Sequence, residues 1–339
     1  AQSAEVLLTV QTAPEILAQP QSISVCENTP AGFGVDAQGT GINYQWMVND
    51  GAGFRNILTS ELEYNGADSD SLTLLSAQVA QSGFPYRVVV SGVCSPAESS
   101  ELAILLVEPN PVITTQPVSD AICENGNTVF TAGASGPAGM NYQWYVDRDD
   151  GNGWVILTDD AIHLGSNSEQ LSVSNAAVFM DGWQYQLEVS TTCMPVYTAP
   201  VTLTVWDNPV PTITPVGVYP DYPLICGGDV LTLDGSPVGG SGTYTNHVWT
   251  GSIGPLSSTT DQVVDFESNI KGNYPLAYSV TDDRGCVGSD AVTIENERPT
   301  AMFTSDAVPT CGYVDVTFTN TSSAEATSFL WNFDDGTTS

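Results

Sequence analysis

Cys26-Glu27-Asn28 is followed, 20 residues after its cysteine, by the tryptophan that ends Asn43-Tyr44-Gln45-Trp46, and both stretches return further along the chain. The first recurs 97 residues later as Cys123-Glu124-Asn125, the second 98 residues later as Asn141-Tyr142-Gln143-Trp144. Asp50-Gly51-Ala52-Gly53-Phe54 answers to Asp150-Gly151-Asn152-Gly153-Trp154, Tyr86 to Tyr185 and Cys94 to Cys193. A third, more divergent copy keeps the skeleton Cys226, Trp249, Tyr278, Cys286, and the tyrosine-to-cysteine interval is eight residues in all three. A fourth opens at Cys311 and reaches Trp331. A period near 100 residues means that the fold has to be read one repeat at a time.

Within a repeat the apolar residues alternate in short runs bounded by Gly, Pro, Asn and Asp, and no run sustains a helical period. Leu171-Ser172-Val173, Tyr185-Gln186-Leu187-Glu188-Val189 and Val201-Thr202-Leu203-Thr204-Val205 each turn one face inward and leave polar residues outside. About seven such runs per repeat, with a tryptophan about 20 residues after the first cysteine, predict an all-β chain of tandem immunoglobulin-like β-sandwiches, with the tryptophan between the sheets. The expected divisions are a closing strand of a preceding unit over 1–12, sandwiches over 13–108, 109–206 and 207–297, and the start of a truncated fourth domain over 298–339. Residues 2–11 resemble the stretches that close the later repeats, and residues 1–12 lack the basic start and long apolar run of a signal peptide. The chain therefore reads as a slice of a longer polymer. Proline-containing junctions, Glu108-Pro109-Asn110-Pro111-Val112 and Asp207-Asn208-Pro209-Val210-Pro211, resist bending and suggest a rod.

The sandwich pattern pairs the cysteines within each repeat: Cys26 with Cys94, Cys123 with Cys193, and Cys226 with Cys286. Because the tyrosine stands eight residues before the second cysteine, not two, these bridges are expected near the end of the sandwich instead of its centre. Cys311 is left over, its partner expected beyond Ser339. Bridges of this kind require an oxidising compartment.

The first two repeats, with CEN, NYQW and DGxG before an aromatic, resemble the immunoglobulin-like repeats of very large secreted surface proteins of the Bacteroidota. The third is similar to the repeats of gliding-motility adhesins, through Cys226-Gly227-Gly228, Gly239-Gly240-Ser241-Gly242-Thr243-Tyr244 and Val280-Thr281-Asp282-Asp283-Arg284-Gly285-Cys286. The fourth, with Phe318-Thr319-Asn320-Thr321-Ser322 and Trp331-Asn332-Phe333-Asp334-Asp335-Gly336, resembles the start of a polycystic-kidney-disease (PKD) domain, with Asp334 where a glycine is usual. The resemblance implies type IX secretion, an extracellular place on the cell surface, and attachment to the outer membrane through regions outside this slice.

Charge narrows the partners. The 339 residues carry 39 acidic against 6 basic side chains, a formal net charge of −33. The resulting negative field argues against nucleic acid or anionic lipid, and no apolar run approaches the length of a membrane span. Catalytic chemistry finds no motif. His163 and His247 stand apart from any nucleophile and read as loop or edge residues, and the pairs Asp149-Asp150, Asp159-Asp160 and Asp282-Asp283 read as solvated turns. No CxxC offers a zinc site.

Three further features carry chemistry. Asp147, Asp149, Asp150 and Asn152, set among glycines, echo the start of a calcium loop, although Thr158 stands where a bidentate Glu would close it; the other reading is a longer hairpin turn. The acidic junctions near Glu108, Asp207 and Glu295 are a second candidate place for calcium; no cofactor is otherwise required. Asp70-Ser71-Leu72 matches a short O-glycosylation pattern at Ser71, and Trp183 and Trp206 either stack on sugar or fill the gaps between sandwiches.

These readings converge on a non-catalytic stalk or filament segment of a large extracellular adhesin, extending a binding tip or serving surface attachment or gliding. Its partners would be neighbouring repeats, with carbohydrate or another surface ligand bound through other domains. The alternatives are spacer modules of a secreted multidomain hydrolase and a subunit of a self-assembling extracellular fibre.

Overall fold

A computed structural model of the protein describes residues 10–308, 311–312, 314–324, 326 and 328–334. Most of the expected closing strand over residues 2–11, and Asp335 and Gly336 of the PKD-like motif, lie outside them. The described residues are all-β, with two single-turn 3-10 helices, Val79–Gln81 and Val178–Met180. The chain divides into two compact units. One holds residues 1–120, 127–174 and 182–203, the other residues 121–126, 175–181 and 204–339.

The first sandwich sets a sheet of Ile23–Cys26, Ala103–Glu108, Pro85–Ser91, Asn43–Asn49 and Phe54–Asn56, in that order, against a sheet of Ala31–Gly34, Ser71–Leu74 and Tyr64–Asn65. Glu15–Ala18 pairs separately with Asp36–Gln38. Alternation is the cause: in Pro85–Ser91 the residues Tyr86, Val88 and Val90 are fully buried while their neighbours are not. The second repeat copies this, with Gln170–Val173 between Thr128–Thr131 and His163–Leu164, and Asn141–Asp147 paired antiparallel along the whole of Gln184–Ser190. In the third, Leu224–Cys226, Val287–Glu297, Gly272–Asp282 and Tyr244–Gly251 form one sheet, and Thr214–Pro215, Val230–Asp234 and Val263–Glu267 the other. Beyond it, Phe303–Ser305 pairs with Phe318–Asn320, and Phe303, Phe318, Trp331 and Phe333 gather with ring centroids 5.5–6.3 Å apart.

The repeated tryptophans lie between the sheets as expected. Trp46, Trp144 and Trp249 are buried, and each indole N–H donates at 2.9 Å to a main-chain carbonyl, that of Ser69, Ser168 and Asp261 respectively. Beside them stand Tyr86, Tyr185 and Tyr278, also fully buried.

The cysteines do not pair as the sequence suggested. The disulfides are Cys26–Cys193 and Cys123–Cys286, each joining one sandwich to the next, while Cys94, Cys226 and Cys311 carry free thiols. The register explains why Cys26–Cys94, Cys123–Cys193 and Cys226–Cys286 do not form. In the first and third sandwiches the opening strand lies parallel to the closing strand, so Cys26 faces Glu108 and Cys226 faces Glu297, at the downstream end; in the second the Glu124 N–H reaches the Trp206 carbonyl as Glu27 reaches Glu108. The tyrosine strand runs the other way and delivers its cysteine to the upstream end. In the third sandwich Cys286 sits in the tight connection between Gly272–Asp282 and Val287–Glu297, strands of 11 residues each. Eleven residues span about 35 Å, whereas a disulfide tolerates Cα atoms no more than about 7 Å apart.

Candidate functional site

The two disulfide junctions are where chemistry-bearing side chains from consecutive sandwiches meet. At the first, Cys26 and Cys193 have Cα atoms 5.6 Å apart. The Glu108 carboxylate, at the end of the closing strand, accepts the Thr192 hydroxyl from the loop of the next sandwich and the Ser24 hydroxyl at 3.4 Å from its own. The linker is held too: Asn110 Nδ2 donates to the Glu27 carbonyl at 3.3 Å, and the Glu27 N–H donates to the Glu108 carbonyl at 2.9 Å.

At the second junction Cys123 and Cys286 are 5.4 Å apart at Cα. Asn208 Nδ2 donates to the Glu124 carbonyl at 3.1 Å, repeating the Asn110 contact, and the Glu124 N–H donates to Trp206 at 2.8 Å. Trp206 takes the place that Glu108 held, and the Arg284 guanidinium lies 5.4 Å from its ring centroid. A hydrogen-bonded carboxylate is thus exchanged for a cation–π pair at one position of the repeat. The linker strand Pro209–Val210 passes so close to Gly288 that a Cβ there would stand 1.8 Å from the Pro209 carbonyl oxygen.

Asp282 shapes the loop that carries Cys286. Only 1% exposed, it is not the solvated turn residue the sequence implied; its carboxylate accepts the backbone N–H groups of Ser241 at 2.9 Å, Arg284 at 3.0 Å and Cys286 at 2.8 Å. Burial alone would raise its pKa, but these three donors and the Arg284 charge outweigh it and hold the carboxyl below its ordinary range.

Both histidines stand on edge strands, His163 on His163–Leu164 and His247 on Tyr244–Gly251, in line with the edge half of the loop-or-edge reading, but their side chains turn toward the core tyrosines. His163 is 2% exposed inside the second sandwich, with Nδ1 3.2 Å from Asp160 and Nε2 3.1 Å from the Tyr185 hydroxyl. Burial would raise the Asp160 pKa, yet the N–H groups of His163 and Ile162 prevail and keep it low. In the first sandwich Tyr64 occupies the same strand position, its hydroxyl 3.3 Å from that of Tyr86; in the third, His247 Nδ1 lies 2.6 Å from Tyr278. Burial pushes the Tyr278 phenol up to about 12. Each core tyrosine therefore meets one polar partner, as a buried hydroxyl requires, and none faces a nucleophile.

The remaining candidates are dispersed. Asp147 and Asp150 accept the N–H groups of Asp149 and Asn152, each at 3.0 Å, Asp149 adopts φ 56°, and the turn joins Asn141–Asp147 to Val155–Ile156. The Asn152 N–H also holds the Asp150 pKa down. Among the described residues no three acidic, His or Cys side chains gather as metal ligands. Ser71 is exposed at the start of Ser71–Leu74, its hydroxyl 3.2 Å from Asp70. Trp183 packs within the second sandwich, stacked on His163 and under Arg148, and Trp206 meets Arg284 of the third. Tyr145, Trp154, Gln186 and Tyr197 line an open cleft of about 410 Å³, where Glu188 accepts both tyrosine hydroxyls and pushes the Tyr197 phenol up to about 12.

With that geometry in view, the likeness to solved structures is informative about the fold. A three-domain I-band fragment of titin, I67–I69, superposes with a TM-score of 0.54 at 16% identity, covering 85% of this chain and 99% of its own. An E-to-A variant of the same fragment gives 0.53 at 16% identity, with the same coverage. This is the fold of tandem immunoglobulin domains. No protein-family model matches the chain, and no curated protein matches its sequence.

Proposed function

We propose that this chain is a structural, non-catalytic segment of a large extracellular surface adhesin, a stalk that transmits load between a surface and a binding domain elsewhere. The observation that carries the reading is the pairing of Cys26 with Cys193 and Cys123 with Cys286, which closes covalent bridges across consecutive sandwiches. Single domains need no such bridges for their own stability; a chain under tension gains from them, because load can pass through sulfur as well as through the linker. Disulfides belong to oxidising compartments, in keeping with an extracellular place, and the resemblance to gliding-motility adhesin repeats favours export by type IX secretion. The sparse basic side chains leave a like-charged surface that discourages lateral association.

Single-molecule pulling by the two chain ends tests the mechanical reading. The oxidised chain is expected to reach about half the fully unfolded length of the reduced chain, at about 3.5 Å per residue. Equal lengths with and without reductant would remove the load-sharing role.

A further inference from the structure

We propose that Cys226 is a crosslinking site for the closing-loop cysteine of an immunoglobulin-like sandwich seated on the downstream end of the third sandwich. By the same argument Cys94 is the matching site for the opening cysteine of a sandwich seated on the upstream end of the first. The proposal rests on the disulfide topology and is independent of the adhesin reading.

Position for position, Cys226 is the equivalent of Cys26 and Cys123. It ends the opening strand Leu224–Cys226 and faces Glu297, the last residue of the closing strand, as Cys26 faces Glu108. The next residue makes the same contact in all three sandwiches: Gly227 N–H to Glu297 at 2.8 Å, Glu27 to Glu108 at 2.9 Å, Glu124 to Trp206 at 2.8 Å. At the two earlier positions the cysteine is bridged to the next sandwich; at the third the thiol is exposed. Cys94 in turn follows the end of Pro85–Ser91 by three residues, as Cys193 follows Gln184–Ser190. Its neighbour Val93 donates its N–H to the Thr40 carbonyl at 3.0 Å, and the Thr40 N–H reaches Thr12, where the chain enters the sandwich. Both free thiols thus stand at the ends where their equivalents are bridged.

Bridge formation needs a disulfide oxidant. With oxidised glutathione, the two cysteine thiols become one S–S bond, their two electrons reduce the glutathione disulfide, and their two protons end on the glutathione thiols.

The test uses the full chain and an extended form of it. In the natural chain, iodoacetamide is expected to label Cys94, Cys226 and Cys311 and to spare the four bridged cysteines. In the extended form a second copy of residues 109–206, with its own Cys123→Ser, follows Glu297 in place of residues 298–339, so that the copied Thr192-Cys193 loop meets Glu297 as the original meets Glu108. Folded in a glutathione redox buffer, this chain is expected to yield a peptide joining Cys226 to the copied Cys193, with labelling of Cys226 reduced at least tenfold. A second extension, by residues 207–297, presents Cys286 on a different loop and covers a failure of the first to fold. Full labelling of Cys226 in both extended chains, or its capture only as a dimer between chains, overturns the proposal.

Discussion

At the scale of single residues, the second sandwich shows how a polar group is made tolerable in an apolar core. His163 satisfies the Tyr185 hydroxyl on one ring nitrogen and faces Asp160 with the other. His163→Ala should cost about 2–4 kcal/mol, since it opens a cavity and strands a buried hydroxyl. His163→Tyr should cost less than about 1.5 kcal/mol, because Tyr64 fills the equivalent place in the first sandwich; denaturant melts of the two variants give the comparison. Asp282 sets a pH dependence. Its folded carboxyl binds a proton more weakly than the unfolded one, so its contribution is complete above about pH 4, the ordinary Asp value, and is lost as pH falls through the lower folded value. Asp282→Asn should lower stability at pH 7 by about 1–3 kcal/mol and flatten the decline below pH 4. A variant whose acid limb matches the natural chain would show that Asp282 does not set it.

At the scale of elements, the strands and the core were legible because burial acts on alternation: Tyr86, Val88 and Val90 had to share a face, and Trp46, paired with Val88 on the next strand, shares it. The disulfides depart from the within-repeat pairing because cysteine spacing along the chain is not proximity in the sandwich. The signal that contradicts that pairing was present in the eight-residue interval from Tyr86 to Cys94. The strand run from Tyr86 to Ser91 alone carries the chain about 17 Å past the core tyrosine at about 3.3 Å per residue, while the parallel opening strand carries Cys26 the other way. The burial of His163 and Asp282 could not be read, because each is completed by a partner remote in sequence, Tyr185 for His163 and Ser241 for Asp282. Gly288 is a third element-scale feature without a sequence signature, since its φ is ordinary and only the docked linker excludes a side chain. Gly288→Ala should therefore displace Pro209–Val210 and cost about 1–3 kcal/mol, with slower formation of the Cys123–Cys286 bridge on oxidative refolding. Wild-type stability and bridging in that variant would mean that the linker yields easily.

At the scale of the whole molecule, the staggered bridges change what a single break in the backbone does. Between Cys26 and Cys286 the chain has two covalent routes: along the backbone to Cys123 and then through sulfur, or through sulfur to Cys193 and then along the backbone. Each route contains about 95 residues, against about 260 for the bare backbone, or about 330 Å against 900 Å at 3.5 Å per residue. Any one cut between the two cysteines leaves a route intact. Bridges confined within each sandwich would protect the sandwiches but not the linkers, which are the segments a protease reaches most readily. A specific protease site placed at Asn110, between the first two sandwiches, separates the possibilities. After complete cleavage the oxidised chain should run as one species and fall into two fragments only on reduction; with Cys193→Ser it should fall apart without reductant. Separation of the oxidised natural chain after that one cut would show that the bridges do not span the junction.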